Sequence, residues 1–455
     1  MWTMIPSMQE LVQALAPVFT QPSLLSHCHL MLAWLMCPGR RTLYHVGQFH
    51  QPGEEVARNQ RHPFDWLYNF FSRSAWKAAT LAGHLALLVV NRLAPSGPLY
   101  LLVDDTLLHK QGHTVFGVGW FRDAVASTRK RVATAKGHNW VVLALAIPVP
   151  GRPGLYIALP LAAALHLPSA KGKKDKRSCQ HLARELLDGL LDYLPGREVI
   201  LVGDGAYACK AVLDGLPEGV TFVGRMRGDA ALYEAKPRRQ RKDKRGRKPT
   251  KGPRLPSPKL AAQKANRARK GSAWAWQSVQ VEWSGGKRRL WALAYEAVWP
   301  TVLGQRAILV AVVRDPEGRM ADAYLCCTRV RELDWVIQTY ARRWAVELLF
   351  RNSKQELDIQ GPQHSCAGSV SKLAPWVWAV HSLVILWYLE AGHLLPEAEH
   401  ERALMGDWDS EWSLRHMLQV FRRATLHATI PLNSTSPDQL RLWLQSIENS
   451  LLLAA

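Results

Sequence analysis

"REVILVGDGAY", residues 197–207, decides the fold. Val199 to Val202 form an unbroken apolar run, the mark of a strand buried on both faces, and Gly203-Asp204-Gly205 ends it. Before it, "CQHLARELLDGLLDYL" (179–194) has the spacing of an amphipathic helix. Further upstream, "LYLLVDD" (99–105), "HNWVVLALAIPVP" (138–150) and "GLYIALPL" (154–161) read as three strands, and "VTFVGRM" (220–226) reads as a fifth. The helix between the third and fourth strands permits a right-handed crossover that sets the fourth beside the first, in parallel. Sites in open α/β sheets lie at the carboxyl ends of strands. Asp104 and Asp204 each close such a run, so the two are expected to meet.

Working outward, residues 1–95 read as a helical region that ends at the breakers "APSGP". Residues 96–226 hold the first part of the α/β core. Residues 227–332 form an insertion. It starts with "KPRRQRKDKRGRKPTKGPRLPSPKLAAQKANRARKG", which is basic, rich in breakers and almost without groups to bury. Four strand-like runs follow, with turns at "SGGK" and "DPEG". Residues 333–371 return to the core through a helix, and 372–455 read as helical again.

The 455 residues carry 58 Lys plus Arg against 37 Asp plus Glu, a net charge of +21. That excess points to a polyanionic partner. The seven cysteines include no CxxC pair, which argues against a zinc site or a disulfide framework. "APWVWAVHSLVILWYLEAG" (374–392) is apolar, but it carries His381 and Glu390 and reads as a buried core helix. No signal peptide is evident. The expectation is a reducing, cytoplasmic protein with no membrane partner.

"TYARRWAVELLFRNSKQELDI" (339–359) is periodic in a second sense. On one continuous helix, Tyr340, Arg343, Glu347 and Lys354 share an arc of about 60°, beside an apolar stripe of Val346, Leu349, Phe350 and Leu357. Glu347 can therefore join Asp104 and Asp204 as three carboxylates from three elements. Converged, they suit Mg²⁺, a hard cation that takes carboxylates, water and phosphate oxygens.

"LLVDDT" (101–106), "LVGDGAY" (201–207) and the ungapped spacing Tyr340-x2-Arg343-x3-Glu347-x6-Lys354 together resemble bacterial insertion-sequence transposases of the DDE class, the cut-and-paste, IS-four-like superfamily with a Tyr-Arg-Glu-Lys signature. That spacing arises by chance in roughly one chain of this length in several hundred. The resemblance covers about residues 95–360. It implies an α/β fold with a ribonuclease-H-like core, a mixed sheet flanked by helices, interrupted by a β-rich insertion and bounded by helical N- and C-terminal regions. It implies that Asp104, Asp204 and Glu347 are catalytic and hold two Mg²⁺ ions, with Mn²⁺ able to substitute. Tyr340, Arg343 and Lys354 would grip the transposon-end DNA beside the scissile phosphate.

The implied reaction is binding of inverted-repeat ends, metal-dependent hydrolysis of a phosphodiester, and joining of the 3′-hydroxyl to target DNA. The implied partners are double-stranded DNA and a second copy of the chain in the DNA complex, with no nucleotide cofactor, in a bacterial nucleoid. Other readings are a catalytically silent DNA-binding descendant and a related nuclease or resolvase. Asp104 is preferred to its neighbour Asp105 as first ligand because it stands two residues before Thr106. Further DNA contacts are assigned to Arg351, to Arg129 and Arg131 with Lys130 and Lys136, and to Arg238, Arg239, Lys242 and Arg245 of the basic segment. His109 and Lys110 are weaker candidates of the same kind. Asn139 is read as orienting the second strand, and Trp299 as the one of 19 Trp chosen to stack on a flipped base.

Overall fold

The computed structural model describes residues 2–49, 62, 64–112, 114–128, 131–168, 177–235, 251–269, 271–283, 286–405 and 411–429. The amino-terminal helices are α1 (Pro6–Gln13), α2 (Gln21–Met36), α3 (Leu43–Phe49), α4 (Asp65–Ser72) and α5 (Ala78–Leu93). The chain then runs β1 (Leu99–His109), β2 (Gly119–Arg122), β3 (Thr134–Pro148), β4 (Tyr156–His166), α6 (Cys179–Leu191), β5 (Val199–Gly203), α7 (Lys210–Leu213) and β6 (Val220–Arg225). The insertion holds α8 (Pro258–Ala265), β7 (Gln277–Trp283), β8 (Gly286–Val298), α9 (Pro300–Leu303), β9 (Ala307–Arg314) and β10 (Ala323–Cys327). The rest is helical: α10 (Leu333–Ala341), α11 (Trp344–Gln355), α12 (Ala367–Glu390), α13 (Pro396–Met405) and α14 (Leu414–Thr429).

All ten strands share one mixed sheet. Its first five core strands lie in the order β4-β3-β1-β5-β6, with β1, β5 and β6 parallel and β3 and β4 antiparallel. This is the ribonuclease-H-like arrangement, with the crossover through α6 that the sequence predicts. The insertion extends the sheet, since β10 pairs with β6 and is followed by β9, β8 and β7.

Two expectations need correction. Asp104 does not end its strand. Past Val103, β1 loses its parallel partner β5 but stays paired to β3 as far as His109, so only the parallel part stops there. The carboxyl half of the basic segment does pack. Ala261, Ala262 and Ala265 of α8 are buried against Leu293 and Val312, because methyl-sized side chains let the helix sit close on the sheet. The part holding Arg238, Arg239, Lys242 and Arg245 lies outside the described residues.

The core centres on α12, which packs on β4 and α5. It is the one described helix long and apolar enough to cross a membrane, and 83% of its apolar window is buried inside the fold. Trp378 of α12 meets Trp140 of β3 edge-on at 5.7 Å. Two of the buried histidines lie against α12 and α11. His27 accepts a hydrogen bond from Trp376 Nε1 at 2.9 Å, and His381 pairs with Ser353 Oγ at 3.0 Å. Burial pushes both imidazoles down to about 3. Each must therefore stay neutral in the fold, while the unfolded chain takes up a proton near pH 6.5. Stability is complete above that value and falls below it, by about 1.4 kcal/mol per pH unit for each histidine. Denaturant midpoints taken from pH 7.5 down to pH 5 should fall steeply, and His381→Asn should flatten the slope.

Candidate active site

The two adjacent aspartates of β1 face opposite ways. Asp105 points to the side covered by α6. Its Oδ1 accepts from Tyr207 Oη at 3.0 Å and its Oδ2 from Asn139 Nδ2 at 3.1 Å. Burial foremost, then Asp105, hold the Tyr207 phenol far above its ordinary range, so it acts as a donor. Asp104 faces the other side, where its Oδ2 accepts from Arg343 Nη1 at 2.9 Å. Asn139, read as orienting a strand, thus fixes Asp105. Tyr207 does the same from the turn after β5, a role its place after "GDGA" did not disclose. Tyr207→Phe should cost about 1 kcal/mol in denaturant unfolding, the cost of leaving a half-buried carboxylate oxygen short of a donor.

Asp204 follows β5 directly, and its Oδ1 caps the turn by accepting from Ala206 N at 2.8 Å. Gly203 before it sits in a crowded place, where a side chain would make its neighbours give by a few tenths of an ångström. A Cβ there would come within 3.0 Å of Val103 and 3.1 Å of Tyr207. Asp204 lies close enough to Asp104 to disfavour its charge.

The predicted single helix from Thr339 onward is two helices. Between α10 and α11 the amides of Arg342, Arg343, Ala345 and Val346 each bond the carbonyl three residues back, a tight 3₁₀ turn. Three residues per turn instead of 3.6 rotates Arg343 relative to the stripe expected for a straight helix. Its guanidinium points into the sheet, bridging Asp104 and Glu347 Oε1. All three groups are mostly or partly covered, with side-chain exposures of 19% for Arg343, 18% for Asp104 and 38% for Glu347. Burial raises the nearby Tyr340 phenol, and the Arg343 charge opposes that rise.

The end of α11 is clamped by the amino-terminal helices. Trp34 Nε1 donates to Leu357 O at 3.1 Å, and the amide of Arg41 donates to Asp358 Oδ2 at 2.7 Å. Asp358 takes a left-handed φ of 45°, which turns the chain sharply after the helix.

Charge is finely balanced here. Burial raises the Asp104 carboxyl to about 7, Arg343 opposes that rise, and Asp204 and Asp105 add to it. Burial works against the Arg343 charge, but Tyr340, Asp104 and Glu347 more than compensate. Three oxygen-donor carboxylates with one covered guanidinium between two of them are a donor set suited to a hard divalent cation. As folded, they are not gathered on one point. Among the described residues no three His, Cys, Asp or Glu side chains form a metal-sized cluster. Arg343 stands between two of the carboxylates and would have to withdraw for both to reach a common ion.

Residues 17–289 match the family described as DDE superfamily endonuclease, well over half of the chain. The chain belongs to that family. The matched region contains Asp104 and Asp204 and ends before Glu347. No curated protein matches. Among solved structures, a cryo-EM structure of the piggyBac transposase synaptic complex with hairpin DNA aligns with a TM-score of 0.40 and 10% identity, covering 95% of this chain and 76% of that chain.

The remaining predicted residues of this DDE endonuclease fall in varied places. Lys354 is half-buried at the far end of α11, its charge disfavoured by burial and favoured by Asp123. Arg351 is exposed and lines a cavity of about 190 Å³ that also touches Leu155, Ile385 and Trp412. Arg131 is exposed on the loop before β3, and Arg129 and Lys130 lie outside the described residues.

Of three weaker candidates, Lys110 and Trp299 are corrected, while the His109 side chain stays 54% exposed. Lys110 is buried, its ammonium donating to the carbonyls of Gln360 at 2.9 Å and Pro362 at 2.7 Å, so it braces the loop after α11. His109 pairs with Asp123 at 2.9 Å. Trp299 is only 7% exposed because it packs into the core at the start of α9, and it offers no face for stacking. Trp344, directly after Arg343, is 52% exposed.

Proposed function

We propose that this DDE endonuclease is a transposase of the Tyr-Arg-Glu-Lys type that cuts the ends of its own element and joins them to target DNA. The observation that carries the reading is the bridge from Arg343 to both Asp104 and Glu347, which brings β1 and α11 together as the signature requires. Asp104, Asp204 and Glu347 would hold two Mg²⁺ ions, with Mn²⁺ able to replace them. Bound there, such ions activate the attacking oxygen and stabilise the leaving one.

The chain's own residues do the rest. Arg343 neutralises the carboxylates until phosphate and metal arrive, and then turns its fork to the phosphate oxygens. Tyr340 and Lys354 keep the backbone in register on either side. Asp105, Tyr207 and Asn139 hold β1 so that Asp104 cannot rotate away. The amino-terminal region would take the terminal repeat, the insertion at 227–332 would contact DNA, and α12 would support α11. Two copies would act in one DNA complex.

Joining distinguishes this reading from a resolvase or simple nuclease. Protein with pre-cleaved element ends, supercoiled plasmid and Mg²⁺ should give covalent end–plasmid products. Cleavage without any joined product would leave a nuclease.

A further inference from the structure

The β2–β3 hairpin carries an exposed indole. Trp120 is 72% exposed, an unusual state for so large an apolar side chain. The hairpin is not loose, because alternate residues of β2 turn inward and Phe121 lies 5.7 Å from the His166 ring. The opposite face bears Trp120 and Arg122, both exposed, directly across from Lys136 and Thr134 of β3. The neighbouring acid does not cancel these cations. Asp123 is engaged by the amides of Val125 and Ala126 and by His109.

Register ties this face to the candidate site. Opposed residues of antiparallel strands share a face, and so do alternate residues of one strand. Asp104 opposes Val142, Thr106 opposes Trp140 and Leu108 opposes His138, and two residues on, Lys136 opposes Trp120. Trp120, Arg122 and Lys136 therefore lie on the same sheet face as Asp104. Six residues of strand at about 3.3 Å each, and two strand spacings of about 4.8 Å, put the indole on the order of 20 Å away. The segment leading into β2 is also fixed to the chain leaving α11, through Phe116 N to Ser365 O at 2.9 Å.

We propose that this face is a contact for the sugar-phosphate backbone of duplex DNA, about six base pairs from the phosphate cleaved at Asp104, given 3.4 Å per base pair. Arg122 meets a phosphate, half-buried Lys136, whose ammonium donates to Gly112 O at 2.6 Å, adds positive charge beside it, and the Trp120 indole lies flat against a sugar or an exposed base. Charge complementarity selects DNA as the occupant: one aromatic face flanked by two cations, on a chain of net charge +21. The proposal rests on the transposase reading above.

The test uses the full chain and duplexes of its own element's end, with 5-iododeoxyuridine placed at successive positions across the first helical turn. Photocrosslinking should join Trp120 to DNA at about the sixth position. Trp120→Ala should abolish that crosslink and weaken binding about 5- to 150-fold, the range for losing one stacked aromatic, while Trp120→Phe keeps most of it. Arg122→Ala should lower the slope of log affinity against log salt by about one. Wild-type affinity and slope in Trp120→Ala and Arg122→Ala, with cleavage intact, would overturn this surface and leave the transposase reading standing. Loss of self-association with unchanged DNA affinity would make it an interface between copies and overturn it too. A wild-type chain that neither binds nor cuts the ends would sink both claims.

Discussion

Asp104→Asn and Glu347→Gln should each lower end cleavage on the order of 10³-fold or more, the scale of losing one preorganised catalytic group, while end binding stays within a few-fold of wild type. Each change removes a metal-seeking oxygen charge and no phosphate contact. Asp104→Asn and Asp105→Ala should differ in stability in a way that a merely structural role for Asp104 would not produce. The Asp104 carboxyl is lifted to about 7, by burial first, so the folded chain holds a proton that the unfolded chain releases near pH 3.9. The sign follows from linkage. This carboxyl's contribution is most favourable below the unfolded value and is lost as pH rises to about 7, a cost on the order of 4 kcal/mol. Asp104→Asn escapes that cost. At pH 8 it should melt at or above the wild-type temperature while being inactive, whereas Asp105→Ala should melt lower, because Tyr207 and Asn139 lose their acceptor. Cleavage retained by Asp104→Asn and lost by Asp105→Asn would exchange their roles.

Arg343→Ala should lose at least about tenfold in end cleavage and in end affinity, since a charged contact to phosphate is worth about 1.5–3 kcal/mol. An ordinary exposed pair between Arg343 and Glu347 would contribute only about 0.3–0.5 kcal/mol and leave activity untouched. Arg343 is not in that position. It is largely covered and holds a carboxylate from β1 as well as the one on its own helix. Without it Asp104 and Glu347 lose their common counter-charge. Added Mg²⁺ should then raise the melting temperature of Arg343→Ala more than that of wild type, because the ion no longer competes with the guanidinium. Equal Mg²⁺ shifts in both proteins would rule out that competition.

Much of this architecture was legible in the sequence because the strands are buried on both faces. Val199–Val202 and Leu101–Val103 can be little else, and the α6 crossover dictates their parallel neighbourship. The placement of Asp204 and the approach of α11 follow from that. What was hidden depends on register and on local departures from ideal geometry. The extension of β1 past Asp104 comes from its partner β3, a pairing between distant segments. The 3₁₀ turn at Arg342–Arg343 has no Gly or Pro to announce it. Alanine packing of α8 was masked by the charges around it. Trp299 could not be told from an exposed Trp by composition, and Trp120 and Trp344 stood out only once burial was known.

The central claim is that these carboxylates cut the DNA that flanks this chain's own gene. The direct measurement is incubation of the purified protein with that DNA, in Mg²⁺ and in EDTA, with the new ends sequenced. Cuts at inverted repeats with 3′-hydroxyl ends are expected in Mg²⁺, and none in EDTA. Cutting that persists in EDTA, or intact DNA in Mg²⁺ from a chain that binds the repeats, would contradict the claim.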